Sequence, residues 1–339
     1  MAPAPTPSGR LWPLLLVAAT ACAAPATQNF HNDVTSSAKP WTHDDFDAEE
    51  GKFTFAVFSD LNGGERSGVF KVAVEQLSLL RPELILSVGD LIDGGTEDRE
   101  RLRREWDHFD ARASRARAPV FRVGGNHDLT NITMRRVWAE RHGPRYYHFV
   151  YGNVLFLALD SEDYTPERLR EIYDARAAYI EAQDAGADGL EEMEYYRMPE
   201  RLTGEIGPEQ SRYFLDVLDR HPDVRWTMLF MHKPVWLGDA DPEFVAIESA
   251  LANRAYTVFN GHFHRFSHTV KNGRDYIMLG TTGGGQGPSR PESFDHVTLV
   301  TVAGDGPSIT HLKLEAILDE TGRVPAGGDT LCFQAYECG

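Results

Sequence analysis

The sequence predicts an α/β fold, and three observations carry that reading. Apolar, β-rich runs alternate with stretches of helical periodicity from Phe53 onward. Three successive runs end on polar residues at Asp60, Asp90 and Asn126, where open α/β sheets place their ligand crevice. The last part, to about Leu314, is strand-rich with Gly turns, which suits a second sheet.

Each element follows from its residues. Phe53-Thr54-Phe55-Ala56-Val57-Phe58 is a β-rich run ending in Ser59-Asp60, and Val69, Val72, Ala73, Leu77 and Leu80 recur at helical spacing. Leu84 to Val88 reads as a buried strand before Gly89-Asp90, and residues 97–113 read as a charged amphipathic helix. Pro119 to Val123 is a strand that ends in Gly124-Gly125-Asn126-His127-Asp128. Tyr146–Val150 and Val154–Leu159 form strands around Gly152-Asn153. Gly207-Pro208 starts a helix to about Arg220, Trp226–Phe230 is a strand before Met231-His232, and residues 243–251 read as a helix. Tyr256–Phe259 then leads into Asn260-Gly261-His262-Phe263-His264.

The flanks have a different character. Arg10 precedes the apolar stretch Leu11–Ala21 and small residues around Cys22, the pattern of a secretory signal over residues 1–22. Leu16 to Cys22 also resembles a bacterial lipobox, with Ala19 where Leu is usual, and simple cleavage after Ala21 is the other reading. Residues 23–50, rich in Ala, Pro, Thr, Ser and Asp, read as a flexible spacer before a domain over 51–315. Of three cysteines, Cys332 and Cys338 lie in the tail 316–339, where a disulfide and two free thiols both stay open. A bridge would leave Cys22 odd, which lipidation explains. The expected location is therefore outside the cytoplasm, in a periplasm or cell envelope, with membrane contact only through a lipid on Cys22.

Composition narrows the partners. The 339 residues, 42% hydrophobic and 25% charged, suit a soluble domain with a real core. The net charge of -17 argues against broad nucleic-acid binding, which needs a basic face. Bound cations could still reverse the sign locally for a phosphate ester.

Asp60-Leu61-Asn62, Gly89-Asp90 with Asp93, Gly125-Asn126-His127-Asp128, Met231-His232 and Gly261-His262-Phe263-His264 together resemble the calcineurin-like metallophosphoesterase superfamily, in family order from Phe53 to Leu314. The resemblance implies a four-layer α/β/β/α sandwich of two mixed sheets flanked by helices. It implies two divalent metal ions with Asp90 between them, Asp60 and His264 on the first, and Asn126, His232 and His262 on the second. His127 would stand beside the substrate with Asp128 orienting its imidazole and raising its pKa. The implied activity is hydrolysis of a small-molecule phosphate mono- or diester by a metal-bound hydroxide.

Elementary chemistry points the same way. A carboxylate can bind one cation per oxygen, and two cations can clamp the attacking and leaving oxygens. The glycines before Asp90, Asn126 and His262 would let the backbone turn sharply. In Gly-His-x-His, strand alternation would put both imidazoles on one side. Asn62 stands where the family usually has His, a harder and weaker donor that favours Mn²⁺ among the Mn²⁺, Fe or Zn²⁺ class. The alternative function is an anchored metal-binding or interaction protein whose first site has decayed at Asn62.

Other features have blander readings. His31, His43, His108, His142, His148, His221 and His311 read as surface residues, and His268 and His296 as residues of loops that could edge the site. Thr281 to Gly287 is a lid or a plain flexible turn. The acidic helical insertion at about 162–200 reads as a solvated helix, with a cap over the pocket as the other reading.

Overall fold

The computed structural model describes Met1 and residues 30–46, 52–286, 291–304 and 306–314. The signal stretch with Cys22 and the tail with Cys332 and Cys338 lie outside the described residues.

In chain order the first elements are β1 (Phe30–Asn32), β2 (Phe53–Phe58), α1 (Val69–Leu80), β3 (Leu84–Ser87), α2 (Arg99–Ala113) and β4 (Val120–Phe121). Then come α3 (Asn126–Leu129), α4 (Ile132–His142), β5 (Tyr147–Tyr151), β6 (Val154–Ala158), α5 (Pro166–Asp184) and α6 (Glu194–Arg197). The remainder is α7 (Pro208–Arg220), β7 (Trp226–Phe230), α8 (Pro242–Ala250), β8 (Tyr256–Asn260), β9 (Ser267–Lys271), β10 (Arg274–Met278), β11 (His296–Ala303) and β12 (Gly306–Lys313).

These strands make two mixed sheets. One has five strands in the order β12-β11-β2-β3-β4, the other seven in the order β1-β5-β6-β7-β8-β10-β9. Strands β2, β3 and β4 run parallel, as do β6, β7, β8 and β10. The expectation that the C-terminal segment makes a second sheet is therefore corrected. Strands β9 and β10 extend the seven-stranded sheet through β8, whereas β11 inserts beside β2 in the other.

Period-two alternation along buried strands builds the layers. Phe53, Phe55 and Val57 of β2 face the core between the sheets, and Ala56 and Phe58 face the core under α1, α2 and α4. Strand β6 divides likewise, with Val154, Phe156 and Ala158 between the sheets and Leu155 and Leu157 under α7 and α8. The inter-sheet layer is aromatic: Phe149 and Phe156 stack at 4.6 Å between centroids, and Phe230 and Phe259 at 5.3 Å. This is the four-layer sandwich.

The expectation of a flexible spacer over 23–50 is corrected for residues 30–46. Strand β1 adds to the edge of the seven-stranded sheet through β5, and Thr42 N donates to the Val120 carbonyl at 3.2 Å, covering the free edge of β4. Phe30 and Trp41 are buried together, their rings 5.6 Å apart. Mean composition hides two aromatic anchors, and an open strand edge supplies the unpaired groups they cover. Within the described residues no helix is long and apolar enough to cross a membrane.

Two histidines expected at the surface are buried. His142 packs between Trp106 and Trp138, at 4.5 and 5.1 Å between centroids. His148 lies with Nδ1 2.7 Å from the Tyr213 hydroxyl, whose proton goes to Asp33 at 2.9 Å. Burial holds the His148 imidazole down to about 4, against the pull of Asp33, and pushes His142 well below its ordinary range. The ordinary histidine value is 6.5, so the unfolded chain binds more protons between that pH and about 4. The stability these groups contribute is complete above pH 6.5 and is lost as the pH falls towards 4. The denaturant midpoint should fall over that window, and His148→Gln should flatten the fall; an unchanged pH profile in the variant contradicts it.

Candidate metal centre

The parallel strands of the two sheets point their C-terminal ends at one place. Strands β2, β3 and β4 deliver Asp60, Asp90 and Asn126; β7 and β8 deliver His232, His262 and His264. Ligand atoms of Asp60, Asp90 and His232, all buried, lie within 4.8 Å of one another. His232 Nε2 is 3.2 Å from Asp90 Oδ2 and 3.1 Å from Asn126 Oδ1. His264 Nε2 is 3.3 Å from Asp60 Oδ1. The His262 ring stands 5.2 Å from that of His232, so the chain brings together six of the seven expected ligands in two linked groups.

The backbone is strained at this place. Asp60, Asp90, His262 and His264 have φ of 35°, 57°, 79° and 52°, in the left-handed region that non-glycine residues avoid. Of the glycines expected to let the backbone turn, Gly89 does so, with φ 99°, whereas Gly125 and Gly261 supply space: a Cβ there would stand 2.3 Å from Asp90 Oδ1 or Asp60 Oδ2. Gly-His-x-His is not an extended segment either; it bends after β8, and the left-handed turns at the two histidines aim the imidazoles.

Backbone donors and second partners fix the ligand rotamers. His127 N donates to Asp90 Oδ1 at 2.8 Å, and His262 N donates to Asp60 Oδ1 at 3.1 Å. Ser59 donates to Asp60, a contact no motif signalled. His232 Nδ1 is tied to the Val88 carbonyl at 2.8 Å, and His262 Nε2 to the Arg201 carbonyl at 2.9 Å. Such ties orient metal-binding imidazoles.

Electrostatics divides the group. Burial opposes charge on Asp90, but His232 and His127 outweigh it and hold the carboxyl well below its usual range. His232 is pulled down by burial and up more strongly by Asp90, to about 9. Burial, with the charges of His232 and Lys233, holds His262 well below its ordinary range. His262 Nδ1 is buried without a hydrogen-bond partner. A buried imidazole nitrogen kept neutral and unpaired beside carboxylates is a donor awaiting a cation, so this residue set fits a metal centre.

Asn62 behaves differently from the expectation. Its amide nitrogen donates to the Asp90 carbonyl at 2.8 Å and to that of Ile92, bracing the second ligand loop. Only Oδ1, buried without a partner, is left to reach anything else.

The pairing of His127 with Asp128 is corrected. Asp128 turns inward at the first turn of α3 and accepts from Gly125 N at 2.8 Å and Leu91 N at 2.9 Å. Burial, then the Asp90 charge, pushes its carboxyl up to about 8. His127 instead holds the Asp93 carbonyl through Nδ1 at 2.7 Å, and burial lowers its pKa where a rise was expected. A residue next in sequence on a helical turn points to a different side, so adjacency did not imply contact.

Two further expectations are settled by packing. Thr281–Gly284 is buried, and Gly284 N donates to the Asp60 carbonyl at 3.0 Å, so this glycine segment is a brace under the first ligand loop and not a lid. The insertion combines both readings: α5 has a solvated outer face, and its inner face caps the cleft. With His127, His262 and His264, residues from α5 and α6 line a cleft of about 760 Å³ beside the centre. Sequence reading missed Arg176 of α5, whose Nη2 lies 3.0 Å from His127 Nε2. It also missed Lys233, buried with Glu162 at 2.8 Å, which ties the residue after His232 to the base of the insertion. Neither sits in a motif, and no local pattern announces them.

Comparison with known proteins bears on the family and the fold. The family described as calcineurin-like phosphoesterase matches residues 53–266. No curated protein sequence matches significantly. A dimetal phosphatase from Danio rerio is similar in structure, with 17% identity, TM-score 0.53, and coverage of 78% of this chain and 99% of that one. GAP50, the anchor in the inner membrane complex of Plasmodium, follows at 14% identity and TM-score 0.49, over 81% of this chain and 87% of that one. A purple acid phosphatase from yellow lupin (Lupinus luteus) seeds gives 13%, 0.47, 81% and 53% for the same measures. At such identities the likeness is one of fold. The family match covers more than half of the chain, from β2 through the last of the clustered histidines, so the protein belongs to the calcineurin-like phosphoesterase family and with it to the phosphoric ester hydrolases.

Proposed function

We propose that the protein hydrolyses small phosphate esters at a centre for two divalent cations. Asp90 stands between the groups, with Asp60 and His264 on one side and Asn126, His232 and His262 on the other. The observation that carries this is the buried, unpartnered Nδ1 of His262 beside the linked pairs His232–Asp90 and His264–Asp60. When bound, the cations would polarise the phosphoryl oxygens and lower the pKa of water.

The chain's own contribution centres on His127. Its Nδ1–H is given to the Asp93 carbonyl, which fixes the tautomer and turns Nε2 to the cleft. Nε2 then carries the lone pair; a proton taken up there from solvent as the anionic ester binds can pass to the departing ester oxygen. The strained ligand loops, tied by Asn62, Ser59 and Gly284, hold the donors in place before substrate arrives.

The nature of the metal is also a proposal: Asn62 Oδ1, the one unpaired atom of that side chain, is a hard donor and favours Mn²⁺ over Zn²⁺. We further propose export with a lipid on Cys22, supported by Arg10, Leu11–Ala21 and the lipobox-like end.

Three measurements test these readings. Chelation should abolish turnover of generic mono- and diesters, and excess Mn²⁺ should restore it and raise the melting temperature by roughly 8–16 °C, the shift for about 4 kcal/mol of ligand stabilisation. Restoration by Zn²⁺ alone contradicts the Mn²⁺ preference. His127→Ala should lower kcat by about 10²–10⁴-fold with cation affinity intact by calorimetry, and should lose least on nitrophenyl esters, whose leaving group needs no proton. An equal loss on alkyl esters rules out the proton-donor role. Cys22→Ser should move the protein from the membrane to the soluble fraction; unchanged partition would refute the anchor.

A further inference from the structure

Arg176 is a cation in an unusual setting. It is 7% exposed, and among the described residues it pairs with no carboxylate. Its resolved polar partner is the Nε2 of His127, at 3.0 Å. Since His127 gives its Nδ1 proton to Asp93, Nε2 carries the lone pair and Arg176 is the donor. Two other arginines line the same cleft, and both are engaged. Arg101 binds Glu105 at 2.6 Å, and Arg201 lies over the Tyr196 ring at 4.3 Å from its centroid. The carboxylates of Asp93 and Asp184 also line the cleft, yet neither is paired with Arg176.

Burying a guanidinium without an opposite charge is costly unless a polar group offsets it, and one imidazole lone pair offsets little. A fork of N–H donors matches phosphate oxygens, with more geometric demand than a lysine would make. The position adds a direction: the guanidinium stands beside His127, the side chain facing the ester to be broken. Helix α5 is also anchored for this purpose, because Leu169 and Ile172 are buried in a small core with Tyr164, Tyr195 and Met198.

We propose that Arg176 is a specificity-determining residue that leaves His127 for the phosphoryl group of the substrate and selects phosphate monoesters over diesters. A monoester carries about 1.5 to 2 negative charges at pH 7, against about one for a diester. A buried cation therefore favours the monoester, and the oxygen esterified in a diester is lost as an acceptor for the fork. The inference rests on the hydrolytic reading for its substrate class, but anion binding by Arg176 does not need turnover.

The test uses the full-length, Mn²⁺-loaded protein, orthophosphate in calorimetry, and a matched pair of nitrophenyl mono- and diesters. Arg176→Gln should weaken orthophosphate binding roughly 10- to 100-fold and lower kcat/KM for the monoester by a similar factor, chiefly through KM. The diester should be affected less, so the preference narrows or reverses, and Arg176→Lys should recover part of the loss. An unchanged melting temperature shows that the variants fold. Unchanged orthophosphate affinity, or equal loss on both esters through kcat alone, would show that Arg176 only braces His127 and overturns the proposal. So does a wild type that binds no orthophosphate. If the wild type turns over neither ester yet binds orthophosphate through Arg176, hydrolysis fails while the anion site stands.

Discussion

The face-to-face packing of two sheets through an aromatic layer sets the distance between side chains that chemistry needs together. Asp60, Asp90 and Asn126 leave one sheet, and His232, His262 and His264 leave the other. Nothing local in the chain holds Asp90 3.2 Å from His232. The stacked Phe149, Phe156, Phe230 and Phe259, with Phe55 against Phe156, fix the sheet spacing behind the site. Removing a buried phenylalanine costs about 3–5 kcal/mol. Even a partial collapse of that layer would move one half of the centre against the other.

That rigid frame explains how four non-glycine residues can stay left-handed. Each such conformation costs about 1–3 kcal/mol and persists only where its surroundings over-determine it. Here they do: Asp60 is gripped by Ser59 and the amide of His262, Asp90 by the amide of His127, His262 by the Arg201 carbonyl and His264 by the Gly285 carbonyl. The strain and the charge go together. Two carboxylates and several imidazoles crowd one place, and the pull of Asp90 on His232 shows a negative field that a bound cation would answer more strongly.

Much of this was legible before any coordinates. Strand-end polar residues at Asp60, Asp90 and Asn126 are visible because period-two runs such as Phe53–Phe58 stop abruptly at them, and sheet topology places such ends together. What stayed hidden depends on long-range packing. Phe30 and Trp41 sit in a segment of spacer-like composition, and only the open edges of β5 and β4 give them a role. Asp128 follows His127 in sequence, but the turn of α3 sends its carboxylate to the amides of Leu91 and Gly125. His142 and His148 look like surface residues until Trp106, Trp138 and Tyr213 close over them.

The insertion shows why motifs alone describe a chemistry better than a substrate. The residues of the motif blocks lie just past strand ends of the two sheets, those from Asn126 to Asp128 on the short helix α3, and such strand ends supply the general equipment for holding cations and phosphate. Arg176 lies outside them, on a helix that reaches the cleft only because Tyr164, Leu169 and Ile172 bury its base and because Lys233 binds Glu162 beneath it. Its signal in sequence is one arginine of three on an acidic helix. The information that distinguishes it is physical and nonlocal: burial, the absence of a carboxylate partner among the described residues, and a nitrogen 3.0 Å from His127. Discrimination among phosphate esters is therefore expected to be set by side chains like this one, which the frame positions but the family pattern does not prescribe.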